Sequence, residues 1–152
     1  MQDKREEYEA RVATATPLGL VIINYELLIH HIENSINTAH TSEFIVNIEK
    51  ALAANGLLMD SLDLNHEIGR DLMSIYIYVN KLLIDARLSR SVELMNEAKH
   101  LISDLFESWQ EIAKEDEGVP VLGTSKIYGG LTYKNGKPSE FVVESNKNDF
   151  KA

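Results

Sequence analysis

Residues 17–37 carry apolar side chains at helical spacing on two nearly opposite faces, and this pattern constrains the fold more than any other. Thr16 can cap such a helix, and Pro17 fits its first turn, where a missing N–H costs nothing. One broad face comprises Leu18, Val21, Ile22, Tyr25, Leu28, Ile29, Ile32 and Ile36. The second stripe consists of Leu20, Ile23 and Leu27. A helix that is apolar on two sides must be covered on both, so we expect the chain to cover one face and a partner the other.

The length and composition are those of one soluble globular domain. The 152 residues are 44% hydrophobic and 26% charged, which is enough to bury a sizeable core. No apolar run reaches the ~18–20 residues that a membrane span requires, and the polar residues 2–7 do not form a signal peptide. We therefore expect a cytoplasmic protein that does not enter the membrane.

Charge and cysteine content argue against several classes of function. The formal net charge of −9 disfavours binding to nucleic acid and to anionic membranes, because both need clustered Lys and Arg. The chain has no cysteine, which removes disulfides, thiolate catalysis and Cys-based zinc sites. The acidity favours a basic or apolar partner.

Apolar periodicity predicts an all-α fold with four long helices. These helices cover residues 17–37, 43–62, 66–88 and 92–114. The connections between them are short, which favours an antiparallel four-helix bundle. A shorter helix over residues 3–13 precedes the bundle. Because it is marginal alone in water, we expect Tyr8 and Val12, one turn apart, to dock on another part of the chain.

Outer apolar stripes recur on the first three long helices but not on the fourth. The inner face of the third helix starts at Ile68, and its outer stripe holds Met73, Ile77, Ile84 and Leu88. The sparser outer stripe of the second helix holds Val46, Ala53, Leu57 and Leu64. Scattered exposed apolar residues are normal, and the short helix or the tail could cover them. Leaving each Leu or Ile in water forgoes roughly 1.5–3 kcal/mol, which favours a groove for apolar helices.

The character of the chain changes near its C-terminal quarter, which divides it into a helical domain over 1–117 and a non-helical extension over 118–152. Helical periodicity stops there, and two of the three prolines lie in the extension. Short apolar runs on both sides of Asn135-Gly136 predict a β-hairpin. An isolated hairpin is marginal in water, so the extension either packs on the bundle or stays mobile, and the sequence leaves both open.

The sequence contains no constellation that indicates catalysis, a metal site or another cofactor. Glu97 and His100 match the Glu-x-x-His unit of di-iron bundles, but a second unit is lacking and both lie on the polar face of the fourth helix. His30 and His31 are adjacent, so a helix points them about 100° apart. We therefore expect neither an enzyme nor a cofactor-binding protein.

Four groups of residues, in order along the chain, carry a family resemblance. They are Thr14-Ala15-Thr16-Pro17 with Leu20, Val21, Ile22, Tyr25 and Glu26; Ser61-Leu62-Asp63 with Glu67-Ile68, Leu72, Ile75-Tyr76 and Tyr78-Val79-Asn80; Leu83-Ile84-Asp85-Ala86-Arg87-Leu88; and Ser108-Trp109-Gln110-Glu111. Their order and spacing resemble the flagellar secretion chaperone (FliS) family over residues 6–114. Tyr8 and Val12 lie where that family carries a Tyr and a Val.

The resemblance implies a cytoplasmic helical-bundle chaperone that binds the C-terminal segment of flagellin and prevents its polymerisation before secretion. The implied partners are flagellin and, at release, the flagellar export machinery, without ATP. Together with the outer stripes, this predicts a partner-binding set of Tyr8, Val12, Leu20, Ile23, Leu27, Met73, Ile77, Ile84 and Leu88. We expect Tyr8 and Val12 to cover part of the groove while it is empty.

The alternative is a structural helical-bundle protein whose outer stripes close a homo-oligomer. A stable oligomer of the free protein would support this alternative. A monomer that forms a one-to-one complex with flagellin would support the chaperone. The sequence leaves the two open.

Overall fold

The structure is a computed structural model that describes the backbone of residues 2–118 and the side chains of residues 4–115. That part of the chain forms five helices and no strand. They are α1 (Gln2–Thr14), α2 (Pro17–Asn37), α3 (Phe44–Asp60), α4 (Glu67–Ser89) and α5 (Val92–Gly118). The predicted all-α fold is confirmed. The predicted hairpin in the extension lies outside the described residues.

The four long helices form one bundle, with α1 added on the outside. Both α2 and α4 pack against α3 and α5, so the four helices make a ring of neighbours. The connections are short, so neighbours run antiparallel. The first helix, α1, contacts α2. The predicted four-helix bundle with a short leading helix is therefore the observed architecture.

The helix starts follow from side-chain capping. Thr16 Oγ1 accepts a hydrogen bond of 3.0 Å from the backbone N–H of Gly19, as predicted for a capping threonine. Ser91 Oγ accepts one of 3.2 Å from the N–H of Leu94 at the start of α5. At its far end α5 extends past the predicted residue 114 to Gly118, because no helix-breaking residue precedes that glycine.

An aromatic cluster occupies the centre of the bundle. Tyr25 on α2 and Tyr76 on α4 are fully buried, and their hydroxyl groups are hydrogen bonded to each other. The ring of Tyr25 lies 6.2 Å from that of Phe106 and 6.4 Å from that of Trp109, both on α5. The cluster therefore ties three helices together, and apolar residues of α3 such as Ile48 complete the core around it.

The turn between α4 and α5 is held to the turn between α2 and α3 by Arg90. This residue ends α4 in the left-handed conformation, with φ of 58°. Its Nη1 donates hydrogen bonds to the carbonyl oxygens of Ala39, at 2.9 Å, and Thr41, at 3.2 Å. Its guanidinium lies 4.8 Å from the ring centre of Phe44. One side chain thus joins two turns at the same end of the bundle.

Two residues of α4 differ from their predicted placement. Ile68 is predicted on the inner face but is 47% exposed. It lies in the first turn of α4, at the end of the bundle, where fewer neighbours surround it. Met73 is predicted on the outer stripe but is half-buried and packs against the core. Helical periodicity gives the direction of a side chain but not the position of the neighbouring helices, which decides burial at the edge of a face.

Candidate functional site

Large apolar side chains lie exposed on the outward faces of α3 and α4. We call this set the α3–α4 outer surface; its members are Val46, Leu57, Ile77, Ile84 and Leu88. Their exposed fractions run from 42% at Ile84 to 80% at Leu88. Ile77, Ile84 and Leu88 are predicted site residues and are accessible as expected. Val46 and Leu57 belong to the predicted outer stripe of α3 but not to the predicted binding set.

Open space lies over Gly56 on α3, next to Leu57 of this surface. A Cβ added at Gly56 would meet no heavy atom within 4 Å. The neighbouring Asn55 is fully buried, and its Nδ2 donates a 3.0 Å hydrogen bond to the carbonyl oxygen of Tyr76. The Oδ1 of Asn55 accepts no hydrogen bond from the described residues. The surface at this point is therefore open to close approach by another chain.

The apolar stripe of α2, which comprises Leu20, Ile23 and Leu27, is covered. Ile23 is only 3% exposed although it does not belong to the main core cluster. Leu20 and Leu27 are half-buried and are also outside that cluster. The helix packed on α2 from outside the bundle is α1. Ile23 is therefore not accessible while α1 packs on that side of α2, and its contact with a partner stays a prediction.

Charged and aromatic side chains attach α1 to α2. Arg11 Nη1 lies 2.7 Å from Glu26 Oε1, and Arg11 Nη2 lies 3.2 Å from Glu26 Oε2. Burial, followed by the nearby Glu26 carboxylate, raises the pKa of the Tyr8 hydroxyl. Tyr8 is half-buried, whereas Val12 is 46% exposed. Of the two residues predicted to dock, Tyr8 is thus the more covered.

Sequence reasoning missed the ion pair between α1 and α2. Arg11 and Glu26 are 15 positions apart and belong to separate helices, so no helical spacing connects them. The hydrogen bond to Glu26 also raises the pKa of Arg11. The one sequence signal is that Glu26 adjoins an apolar stripe on both of its sides, at Ile23 and Leu27. A carboxylate beside a covered apolar stripe needs a cation on the segment that covers it, because a buried charge without a partner is destabilising.

The polar groups considered for chemistry lie on the surface. His100 Nε2 is 3.7 Å from Asp104 Oδ2, and Glu97 accepts a hydrogen bond of 2.7 Å from the hydroxyl of Tyr78. Within the described residues, no group of three or more His, Asp or Glu side chains is placed to hold a metal ion. Among the helices of residues 2–118, none combines the length and apolarity that crossing a membrane requires.

The comparison with known families agrees with this architecture. Residues 1–116 match the sequence model of the family described as flagellar protein FliS. The matched region runs from α1 to the last turn of α5, so it contains the whole bundle and the helix that covers α2. A search of curated proteins finds no match. The resemblance inferred from the sequence is confirmed, and the chain belongs to the FliS family of flagellar export chaperones.

Proposed function

We propose that this protein holds the C-terminal helical segment of flagellin in the cytoplasm and prevents its polymerisation before secretion. The observation that carries the proposal is the α3–α4 outer surface, on which five large apolar side chains from two adjacent helices lie exposed. Family membership supports the export role. The apolar face of an amphipathic helix is the natural ligand for such a surface, because it buries side chains spaced one helical turn apart.

The energetic case rests on what these side chains gain by being covered. Ile77 and Ile84 are seven positions apart on α4 and therefore lie on the same side of the helix, two turns from each other. Fully burying a Leu or Ile side chain contributes roughly 1.5–3 kcal/mol. A flagellin segment that is disordered when free must lose conformational entropy as it folds on the surface, so several such contacts are needed.

The covered stripe of α2 provides a second part of the site. Leu20, Ile23 and Leu27 are shielded by α1, whose attachment includes one ion pair and the half-buried Tyr8. Flagellin reaches this stripe by displacing α1, in which case Tyr8 and Val12 exchange their contacts for those of the client. Transfer to the flagellar export machinery releases the client without ATP. Such an exchange shifts a two-state equilibrium and needs no covalent step.

The test is to place charges on the exposed surface without disturbing the core. Ile77→Asp and Ile84→Asp are made together, and affinity for a flagellin C-terminal peptide is measured by calorimetry. Ile68→Asp is the matched control, since Ile68 is on the same helix and is 47% exposed against 53% for Ile77. We expect the double variant to bind at least about tenfold more weakly, equivalent to about 1.4 kcal/mol, and the control to bind like the parent.

Two results would overturn the proposal. The first is a folded double variant whose affinity equals that of the parent. The second is a free protein that sediments as a stable oligomer and becomes monomeric when Ile77 and Ile84 are both changed to Asp, because the surface would then close a homo-oligomer. Circular dichroism of each variant checks that its helical content equals that of the parent. We expect no change, because the substituted side chains are exposed.

A further inference from the structure

A second surface, between α4 and α5, combines apolar side chains with negative charge. Tyr78 on α4 is 44% exposed and donates its hydrogen bond to Glu97 across the seam to α5. An open depression at this place is lined by Tyr78 and by residues of α5 that include Glu93, Asn96 and Leu101. Ile68, in the first turn of α4, is also exposed. We call this region the α4–α5 groove.

Acidic side chains border the groove on both helices. Glu67 and Asp71 lie 11 and 7 positions before Tyr78, so they share its side of α4. Asp104 and Glu115 lie 7 and 18 positions after Glu97, so they share its side of α5. The exposed carboxylates are those of Glu67, Asp71, Glu97, Asp104 and Glu115. Two basic side chains line the depression and already have acidic neighbours: Lys99 pairs with Glu33, and His100 lies 3.7 Å from Asp104. The groove therefore presents a negative field with apolar contacts beneath it.

The charge of the chain is divided unevenly along its length. Residues 1–118 contain 10 of the 15 Lys and Arg residues and 21 of the 24 Asp and Glu residues. The segment 119–139 contains three lysines and no acidic residue. It also carries apolar side chains that a groove could receive, namely Val119, Val121, Leu122, Ile127, Tyr128, Leu131 and Tyr133. This segment is complementary to the α4–α5 groove in both charge and polarity.

The position of the segment in the chain favours this groove over the α3–α4 outer surface. Helix α5 ends at Gly118, beside the start of α4, because neighbouring helices run antiparallel. From there back to Asn96 is about 33 Å of helix. An extended chain covers that distance in about ten residues, so residues 119–139 reach the depression with length to spare. The family match ends at residue 116, so this segment lies outside the shared bundle.

We infer that residues 119–139 fold back along the α4–α5 groove as an intramolecular ligand, with Lys126, Lys134 and Lys137 facing its carboxylates. The groove is separate from the α3–α4 outer surface, so the segment and a client helix occupy different sides of α4. The inference does not depend on the identity of the client. It concerns only how this chain covers its own acidic, partly apolar face.

Paramagnetic relaxation measured on the full chain tests the inference. The protein has no cysteine, so Asn96→Cys takes a nitroxide label at a single position. Ala53→Cys on α3 is the control label, since it is exposed and α3 does not adjoin α5 in the ring of helices. We expect loss of the amide signals of residues 119–139 with the label at Asn96, and their retention with the label at Ala53.

Charge reversal in the segment supplies the second measurement. K126E, K134E and K137E together should restore the amide signals, whereas K147E with K151E, outside the segment, should not. At about 1 M salt the Debye length falls to about 3 Å, so the signals of the unsubstituted segment should recover in part.

Three outcomes overturn the inference. One is unchanged amide signals of the segment with the label at Asn96. Another is signal loss that survives the triple charge reversal. The third is signal loss that appears only when labelled and isotope-enriched molecules are mixed, because the occupant would then be a second copy of the chain.

Discussion

Arg11 and Glu26 form a two-point ion pair between α1 and α2, with nitrogen–oxygen distances of 2.7 and 3.2 Å. The pair is part-buried and lies beside a stripe whose central residue, Ile23, is 3% exposed. Bidentate contacts of this kind fix orientation as well as distance. The same two residues therefore influence how readily α1 leaves the stripe that it covers.

Arg11→Ala should loosen α1 without unfolding the bundle. The loss of a partly exposed, bidentate ion pair costs about 1 kcal/mol, which corresponds to roughly a fivefold increase in the population with α1 detached. Amide hydrogen exchange in α1 should accelerate by that factor, while exchange in α2 to α5 stays as in the parent.

Arg5→Ala is the matched control for this prediction. Arg5 pairs with Glu9 within α1 at 3.0 Å and is well exposed, so its removal leaves the contact with α2 intact. If the Arg5 and Arg11 variants accelerate exchange equally, the ion pair to Glu26 does not hold α1 on the bundle. If affinity for a flagellin peptide falls with Arg11→Ala, α1 is not a competitor for the stripe.

Tyr76→Phe should destabilise the bundle by about 1–3 kcal/mol, because it removes a hydrogen bond from the buried hydroxyl of Tyr25. The variant Tyr25→Phe should cost a similar amount. The double variant should be destabilised by less than the sum of the two single variants, because each single variant already removes the same shared hydrogen bond. Urea denaturation of all four proteins measures the coupling, and strict additivity would show that the two hydroxyl groups do not stabilise each other.

Stability should decrease on acidification because of His31. Burial, then the neighbouring His30 and then Lys50 on α3 lower the pKa of His31 below its ordinary value of 6.5. The unfolded chain therefore binds a proton more readily than the folded one, and the contribution that is fully present above pH 6.5 is lost as the pH falls towards the lowered pKa. Urea midpoints across that window should fall less in His31→Gln than in the parent.

His40→Gln is the control for the pH dependence, because His40 is exposed on the turn after α2. This variant should retain the full slope of stability against pH. An unchanged slope in His31→Gln would mean that other groups account for the acid sensitivity. The readout needs no client, so it is independent of the proposed function.

Arg90 combines a strained backbone with stabilising side-chain contacts, and two substitutions distinguish the effect of each on the stability of the fold. Arg90→Ala loses the hydrogen bonds to Ala39 and Thr41 and the contact with the Phe44 ring, which together contribute about 2 kcal/mol. Arg90→Gly loses the same contacts but tolerates φ of 58° without strain, so it should be about 1 kcal/mol more stable than Arg90→Ala. Thermal or urea unfolding of the two variants measures this difference in stability. Equal stabilities would mean that the backbone at residue 90 is not strained.

Helix positions were predictable here because the local signals are strong. Both ends of α2 agree with the prediction, since Thr16 and Pro17 mark its start and a polar run of Thr and Ser follows Asn37. The apolar pattern predicts the end of α3 two residues late, at residue 62, because Leu62 is apolar and buried although it lies beyond the helix. Leu62 packs into the core from the turn, which a helical periodicity cannot distinguish from a final helical turn.

The candidate site was predictable only in part. Ile77, Ile84 and Leu88 are exposed as the spacing on α4 indicated, because a residue far from every neighbouring helix has nothing to cover it. Ile23 lies on a comparable outward stripe of α2 but is buried, because α1 packs against α2. The ion pair of Arg11 with Glu26 follows from how two helices meet, and no single helix encodes it.

The sequence by itself determined the helices, most of their inward faces and the family, because capping, periodicity and motif order are properties of neighbouring positions along the chain. Only the tertiary structure decided which outward stripe stays exposed and which is covered. That difference arises because burial depends on residues distant in sequence, such as Arg11 with Glu26, whose meeting depends on the packing of whole helices. Ile23 and Ile77 both belong to outward stripes of their own helices, but α1 packs on α2 and Ile23 is 3% exposed, whereas Ile77 on α4 is 53% exposed.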